Sequence, residues 1–517
     1  MGVLVVAGTA GMVHLPAIAA QPSDLPDAIL TLRLDPLLTR PAVLDSGVTL
    51  PGDTQVLPCA VRLVPAGGVL PALSLADAVE VALCRNPQAQ SAWDAIKVQA
   101  AALGEARAAY FPVVTFSASR VNDQTRYPGS HPAGSAAAVS NAATSNAAGS
   151  NTAATSLNSN TLYGSLNWRL FDFGARDANQ RSANALLTAA LVNHDAVLQK
   201  ILGDVVTAYF DAQTALATST ARQKNEEVAR QTLEAAQRRE ARGVGAQSDT
   251  LQAATSLAKA RLEKSRAQGA YGKSMSVLIY ALGVPAGTPL ALAQDMVAAQ
   301  GDLRQDLHDW LAQTQALHPT LLAGRAQLAS ARDKVVATQA EGMPTLDLTG
   351  SLFQNGRPNQ GLTSVRTREI LTGVTLNIPI FDGFARTYKV RGAQAQVEQK
   401  QAQLQDTENQ VLMEVVKAHA DARAALENLG ASQDLLGAAQ DALASVQRKF
   451  DRGAADILEL LSTQSALSDA QLERVRCLSD WRSSRLRLLA SAGMLGRGQV
   501  QSMTQSSELP ASGSARP

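Results

Sequence analysis

Residues able to do acid–base, nucleophilic or metal chemistry are scattered through this chain of 517 residues, without the grouping such chemistry needs. The six histidines (14, 131, 194, 308, 318 and 419) lack the close spacing of a metal-ligand set. Gly272-Lys273-Ser274 matches the end of a phosphate loop, but Ala267 stands where the first glycine belongs and helical sequence surrounds it. Gly243-Val244-Gly245 is followed by Ser248 where a dinucleotide fingerprint needs its third glycine. The sequence therefore predicts no catalytic residue, no metal site and no cofactor. Two acids stand out by position: Asp249 and Glu459 each lie six residues after a glycine, Gly243 and Gly453. An acid there has an ordinary reading, since a helix's first turn favours negative charge.

These positions are copies of each other. Leu170-Phe171-Asp172-Phe173-Gly174-Ala175-Arg176 returns as Ile380-Phe381-Asp382-Gly383-Phe384-Ala385-Arg386, 210 residues later. Arg242-Gly243 returns as Arg452-Gly453, and Gly283 as Gly493, at the same offset. Pro87 with Pro319 and Pro112 with Pro344 share an offset of 232, so one loop carries 22 extra residues. A duplicated unit of this length is architecture.

Composition narrows the architecture. Aromatic residues make up only 4%, and Ala, Gln, Leu, Arg and Glu dominate long stretches, the profile of long helices. A net charge of +1 gives no pull toward nucleic acid. No run of eighteen apolar residues follows the N-terminus, so no membrane-spanning helix is expected. Apart from His14, residues 1–20 are apolar or small and end in Ala17-Ile18-Ala19-Ala20, which reads as an export signal. Residues 21–72 hold eight prolines and read as an extended leader, and 497–517 as a flexible tail. In an exported chain Cys59 and Cys84 could form a disulfide between leader and first helix; unpaired thiols are the alternative.

Two repeats remain, 73–284 and 302–496. Ser74 is the expected N-cap of the first helix, and Asn86-Pro87 breaks it. After Pro112 the apolar period becomes two. Strands are expected at about 113–121, 162–170, 345–353 and 370–378. About nine residues is the length that crosses a bilayer core when tilted, although a soluble antiparallel sheet alternates in the same way. The Ala/Ser/Asn/Thr/Gly tract 129–161 is expected to be a flexible loop.

From Asp177 to Arg242 there is no proline, so a continuous helix of roughly 100 Å is expected. Leu198, Leu202, Val205, Tyr209, Ala212 and Leu216 step by 4 and 3, the rhythm of a packed helical seam. Each long helix ends at Gly243 or Gly453, and a second helix returns. Four strands cannot close a barrel, and an open edge in lipid leaves backbone groups unpaired. Strands that enter a membrane would therefore force the chain to oligomerise.

The duplicated helix, two-strand, long-helix unit resembles the TolC family of outer-membrane efflux and secretion channels. So do Phe-Asp-x-Gly after the second strand, Pro at the helix-to-strand junctions, and the glycine-to-acid spacing at the turns. The resemblance covers about residues 74–496. The spacing of Cys59 and Cys84, with Leu83-Cys84-Arg85-Asn86-Pro87, is similar to the branch serving the adenylate cyclase toxin exporter. The resemblance implies a mainly α fold with a β-barrel portion: a homotrimer with a twelve-stranded barrel and a periplasmic helical tunnel. It implies an outer-membrane location, lipid around the strands, a periplasmic adaptor, and an inner-membrane transporter, either ABC-type or proton-driven. Nucleic acid is no part of it. The rival reading is a soluble periplasmic coiled-coil adaptor or structural protein without a pore.

The resemblance also assigns residues. Asp249 and Glu459 take the acidic positions of the periplasmic constriction. Ser462 stands where the family has a second acid, Ala455 where it has a basic partner, and Phe450 where it has a tyrosine. Arg242, Arg452 and Asp456 remain candidates for other polar links. Phe171, Asp172 and Gly174, with Phe381, Asp382 and Gly383, read as structural: Asp as helix N-cap, Gly easing the turn. Pro112, Pro344 and Pro379 mark the same junctions.

Overall fold

A computed structural model describes residues 72–128, 152–293, 305–354 and 368–496. The expected signal, Cys59, the rest of the leader before residue 72, and the tail lie outside the described residues. Eight helices and four strands follow in order among them: α1 Leu75–Arg85, α2 Pro87–Ala108, β1 Val113–Pro128, β2 Thr152–Phe171, α3 Ala175–Ala241 and α4 Gln247–Ala281. The second half repeats them as α5 Leu307–Leu317, α6 Pro319–Ala340, β3 Thr345–Gln354, β4 Arg368–Asn377, α7 Ala385–Asp451 and α8 Ile457–Ser491.

Local chemistry sets the breaks. Ser74 and Asp77 form a capping box at the start of α1, each side chain taking the other's backbone N–H. Asn86 accepts from the Gln88 N–H at 2.8 Å to cap α2, with Pro87 at its first position, where no N–H is missed. His318 takes the same place before Pro319, its Nδ1 accepting from the Thr320 N–H at 3.2 Å. No helix is long and apolar enough to cross a membrane, among the described residues.

Helices α3 and α7 are each 67 residues, about 100 Å at 1.5 Å per residue. Each folds back through a tight turn onto α4 or α8, both 35 residues. Helix α2 covers the first part of α3, and α6 packs between α3 and α7. The main core sits at mid-length of α3, where Leu198, Leu202, Val205, Tyr209 and Ala212 are buried against α1, the end of α4 and the end of α8. Leu216 packs against the edge of this cluster, so the seam has the spacing read in the sequence. Smaller apolar clusters lie at α2–α3 (Ile96, Ala100, Leu103, Leu187) and at the far tip of the second hairpin.

The strands form one antiparallel sheet in the order β1-β2-β3-β4. Strand β2 pairs with β3 from Leu162↔Gln354 to Phe171↔Leu346, so the two repeats are joined by a ladder, with a bulge between Arg169 and Phe171. Strands β1 and β2 run further than the apolar alternation: pairing continues to Pro128↔Thr152. Residues 152–161, expected as loop, are therefore strand. Backbone pairing needs no apolar bulk, so composition did not reveal it. Residues 129–151, the rest of that expected loop, lie outside the described residues.

Candidate functional site

The register separates the sheet into two unlike faces. Cross-strand partners share a face. One face therefore carries Val114, Phe116, Leu162, Leu166, Trp168, Leu348, Leu352, Ile370, Val374 and Leu376. In the single chain most of these are exposed, Phe116 at 72%, Ile370 at 64% and Val374 at 59%, while Leu166 and Leu348 are half-buried. The other face is mostly polar, lined by Thr115, Ser117, Ser165, Asn167, Arg169, Asp347, Thr349, Ser351 and Thr375, with Val113, Tyr163, Phe353 and Leu371 among them. Arg169 Nε donates to Asp347 Oδ1 at 3.0 Å across the β2–β3 seam, and the Thr115 and Ser165 hydroxyls lie 2.5 Å apart. Among the described residues the outermost strands, β1 and β4, each have a partner on one side only. Such a sheet has a dry face, a wet face and two open edges.

Where strand becomes helix, Asp172 and Asp382 hold the turn, though not as formal N-caps. The N-cap positions fall on Gly174 and Phe384, both left-handed. The carboxylates instead reach forward two more residues: Asp172 Oδ2 accepts from the Arg176 N–H at 3.0 Å and Asp382 Oδ2 from the Arg386 N–H at 2.8 Å. Two consecutive left-handed residues make each turn, Phe173-Gly174 (φ 53° and 86°) and Gly383-Phe384 (φ 67° and 68°). The copies swap the glycine and the phenylalanine, so each has one strained aromatic. Phe171 meets Phe173, and Phe381 meets Phe384, edge to face at 4.8 and 5.5 Å. Pro112, Pro344 and Pro379 sit in the short connections beside β1, β3 and β4.

Arg176 recurs as Arg386 in the second copy. It fastens the first junction: its guanidinium pairs with Asp172 at 2.9 Å and donates to the carbonyls of Arg169 (2.7 Å), Leu170 (3.2 Å) and Ala109 (3.4 Å). It also lies over the Tyr110 ring. The recurrence of Arg at 176 and 386 was the available signal.

At the opposite ends of the hairpins, Asp249 lies in the first turn of α4 and Glu459 in the first turn of α8. Glu459 is exposed and Asp249 half-buried. Asp456 is the N-cap of α8, its Oδ1 accepting from the Glu459 N–H at 2.7 Å. Ala246 occupies the matching position and α4 has no side-chain cap. The Ser462 hydroxyl donates to the Glu459 carbonyl at 3.0 Å, a local bond along α8. Phe450 packs with Val446, Ile457 and Leu460 in the second tip, and the Arg239 guanidinium of the first tip covers its ring at 4.7 Å. Gly243 and Gly453 turn the chain at φ 74° and 76°.

Ion pairs tie the shaft of the first hairpin: Arg222–Glu263 at 2.6 Å and Glu226–Lys264 at 2.8 Å. The hydrogen bond from Lys264 holds the Glu226 carboxyl below its usual range, against the opposing effect of desolvation. Cys477 is free and buried in α8, and burial raises its thiol pKa. Cys84 is disulfide-bonded, while Cys59, its expected partner, lies outside the described residues.

Two helices of about 100 Å, each folded back onto a shorter partner and joined by a sheet with one apolar face, define a channel-type architecture. The chain belongs to the Outer membrane efflux protein family, whose match spans residues 78–284 and 310–494. It is similar to Protein CyaE of Bordetella pertussis, 35% identical over 428 residues covering 83% of this chain and 85% of that protein. It is also similar to the alkaline protease secretion protein AprF of Pseudomonas aeruginosa, 25% identical, covering 65% and 70%. The fold matches the CmeC outer membrane channel of Campylobacter jejuni with a TM-score of 0.68 at 17% identity, covering 84% of this chain and 89% of that one.

Proposed function

We propose that the chain forms a homotrimeric outer-membrane channel-tunnel, the passive exit of a tripartite export system, serving type I protein secretion. The observation that carries this is the sheet. Its apolar face is mostly exposed, its opposite face is mostly polar, and both edges are open. In lipid, unpaired edges cost several kcal/mol per backbone group, so β1 must meet β4 of another copy. Three copies of four strands give a twelve-stranded barrel, apolar outside and polar within. The paired hairpins of each repeat, 73–284 and 302–496, continue it as a helical tunnel across the periplasm.

The gate residues are part of this proposal. Three copies of Glu459, with Asp249, form an acidic ring at the inner mouth that favours cations. Gly243 and Gly453 make the tips, and Ser462 and Phe450 leave the mouth with fewer polar links than an acid and a tyrosine would. Cys59 and Cys84 tie the leader to α1. A periplasmic adaptor and an inner-membrane transporter, ABC-type in the secretion reading, complete the assembly. The similarity to CyaE and AprF supports protein as cargo.

The test is fractionation. Expression should give outer-membrane trimers that resist detergent and separate on heating. A chain recovered wholly as soluble monomer would favour the periplasmic adaptor reading.

A further inference from the structure

The two hairpin tips are copies, yet they are held together by opposite chemistry. Glu240 and Thr250 in the first tip correspond, at the offset of 210, to Phe450 and Leu460 in the second. The first pair is polar, the Thr250 hydroxyl donating to Glu240 Oε2 at 2.5 Å. The second pair is apolar: Leu460 is buried, and Phe450 packs with it, Val446 and Ile457. Packing leaves one face of the Phe450 ring for Arg239, whose guanidinium carbon stands 4.7 Å from the ring centroid. Arg239 belongs to the last turn of α3, so this contact crosses from one hairpin to the other. Among the described residues no carboxylate forms an ion pair with Arg239, so the ring is its charge partner.

We propose that Arg239 and Phe450 form a latch that couples the two hairpin tips of one chain through the aromatic face, at the very end of a seam that Thr232 and Gln464 join by a hydrogen bond further up the shaft. Phenylalanine has no hydroxyl, and neither an arginine nor a phenyl ring titrates near neutrality. The latch therefore works without hydrogen-bond partners and independently of pH. The turn behind it is tight: a Cβ on Gly245 would lie 3.0 Å from the Arg239 Cβ and 3.0 Å from the Glu240 amide nitrogen. The backbone of Arg239 is thus fixed by its own turn, and the side chain reaches the second tip from a rigid base. The consequence for permeation rests on the reading of the tips as the inner mouth; the latch itself does not.

Spin labels at Ala241→Cys and Ala454→Cys, in a Cys477→Ser background, would report the distance between tips. Oligomers assembled with excess unlabelled chain isolate the within-chain distance. Phe450→Leu keeps apolar packing and removes the aromatic face; Arg239→Gln removes the cation. Each should raise the tips-apart population about fivefold, the factor a contact of cation–π strength supplies. The double variant should go no further than either alone, and Phe450→Trp and Arg239→Lys should retain the wild-type distribution. An unchanged distribution in Phe450→Leu, or effects that add in the double variant, would overturn the latch. Conductance of the same variants reports separately on the mouth reading: a coupled latch with unaltered current would keep the former and remove the latter.

Discussion

Gly283, just past the end of α4, is pressed against Asn86, the residue between α1 and α2: a Cβ on the glycine would lie 2.7 Å from the Asn86 Cα and 2.9 Å from the Arg85 carbonyl oxygen. The glycine also sits at φ +69°, where a side chain is strained in any case. Asn86 closes the contact by donating from Nδ2 to the Ala281 carbonyl at 3.1 Å. The second repeat rebuilds the joint with Gly493 at φ +72° against His318 and Pro319. These two joints stop each returning helix against the helical pair that opens its own repeat, where the apolar core gathers.

Substitution at the joint should be costly for steric reasons alone. Gly283→Ala should destabilise by about 2–3 kcal/mol, since both backbone strain and overlap must be relieved. Gly272→Ala, in the middle of α4 with nothing within 4 Å of the added methyl, should be neutral or stabilise by up to ~1 kcal/mol. Thermal unfolding of the two variants side by side checks this.

The second joint should be sensitive to acid. His318 caps α6 with a lone pair on Nδ1, which requires the neutral ring, and burial lowers its pKa from the ordinary 6.5. The unfolded chain therefore takes up the proton first. The contribution is complete above pH 6.5 and is lost as pH falls from there through the lowered folded value. His318→Asn, which copies the cap at Asn86, should flatten this part of the stability profile below pH 6.5. A slope unaltered by the substitution would remove His318 as its source.

The junction aspartates should differ although their sequence contexts match. Asp172 and Arg176 side chains are 8% and 13% exposed, so Asp172→Asn should cost about 2–3 kcal/mol by leaving a buried guanidinium underpaired. Asp382 is exposed, and Asp382→Asn should cost under about 1 kcal/mol. Equilibrium denaturation in detergent distinguishes the two.

The faces of the sheet should answer oppositely to charge. Val374→Lys places an ammonium on the dry face and should cost about 2–4 kcal/mol in lipid. Thr375→Lys lies on the wet face opposite Asp347 and should be tolerated. Yield of folded protein in vesicles, assayed by heat modifiability, compares them.

Much of this was legible in the chain. The steps of 4 and 3 from Leu198 to Leu216 identified the buried seam of α3, and the alternation from Leu162 to Leu170 identified the β2 core. What escaped reading was set by contacts with no sequence period. The outer reach of β1 and β2 rests on backbone pairing through Ala/Ser/Thr-rich sequence. Asp172 acts two residues before the formal cap because a left-handed pair is interposed, and Phe173 and Phe384 occupy a conformation that composition disfavours. Asp456 caps α8 through the Glu459 N–H, a local role that its place three residues ahead made available. Arg239 meets Phe450 only because two repeats pack tip to tip, which no single repeat encodes.

The most direct test of the central claim is single-channel recording of the purified oligomer in planar bilayers, with Glu459→Ala alongside. Discrete, cation-favouring currents that lose selectivity in the variant are the predicted result, fixing both the pore and its acidic mouth. A folded protein that neither inserts nor conducts would contradict the channel itself.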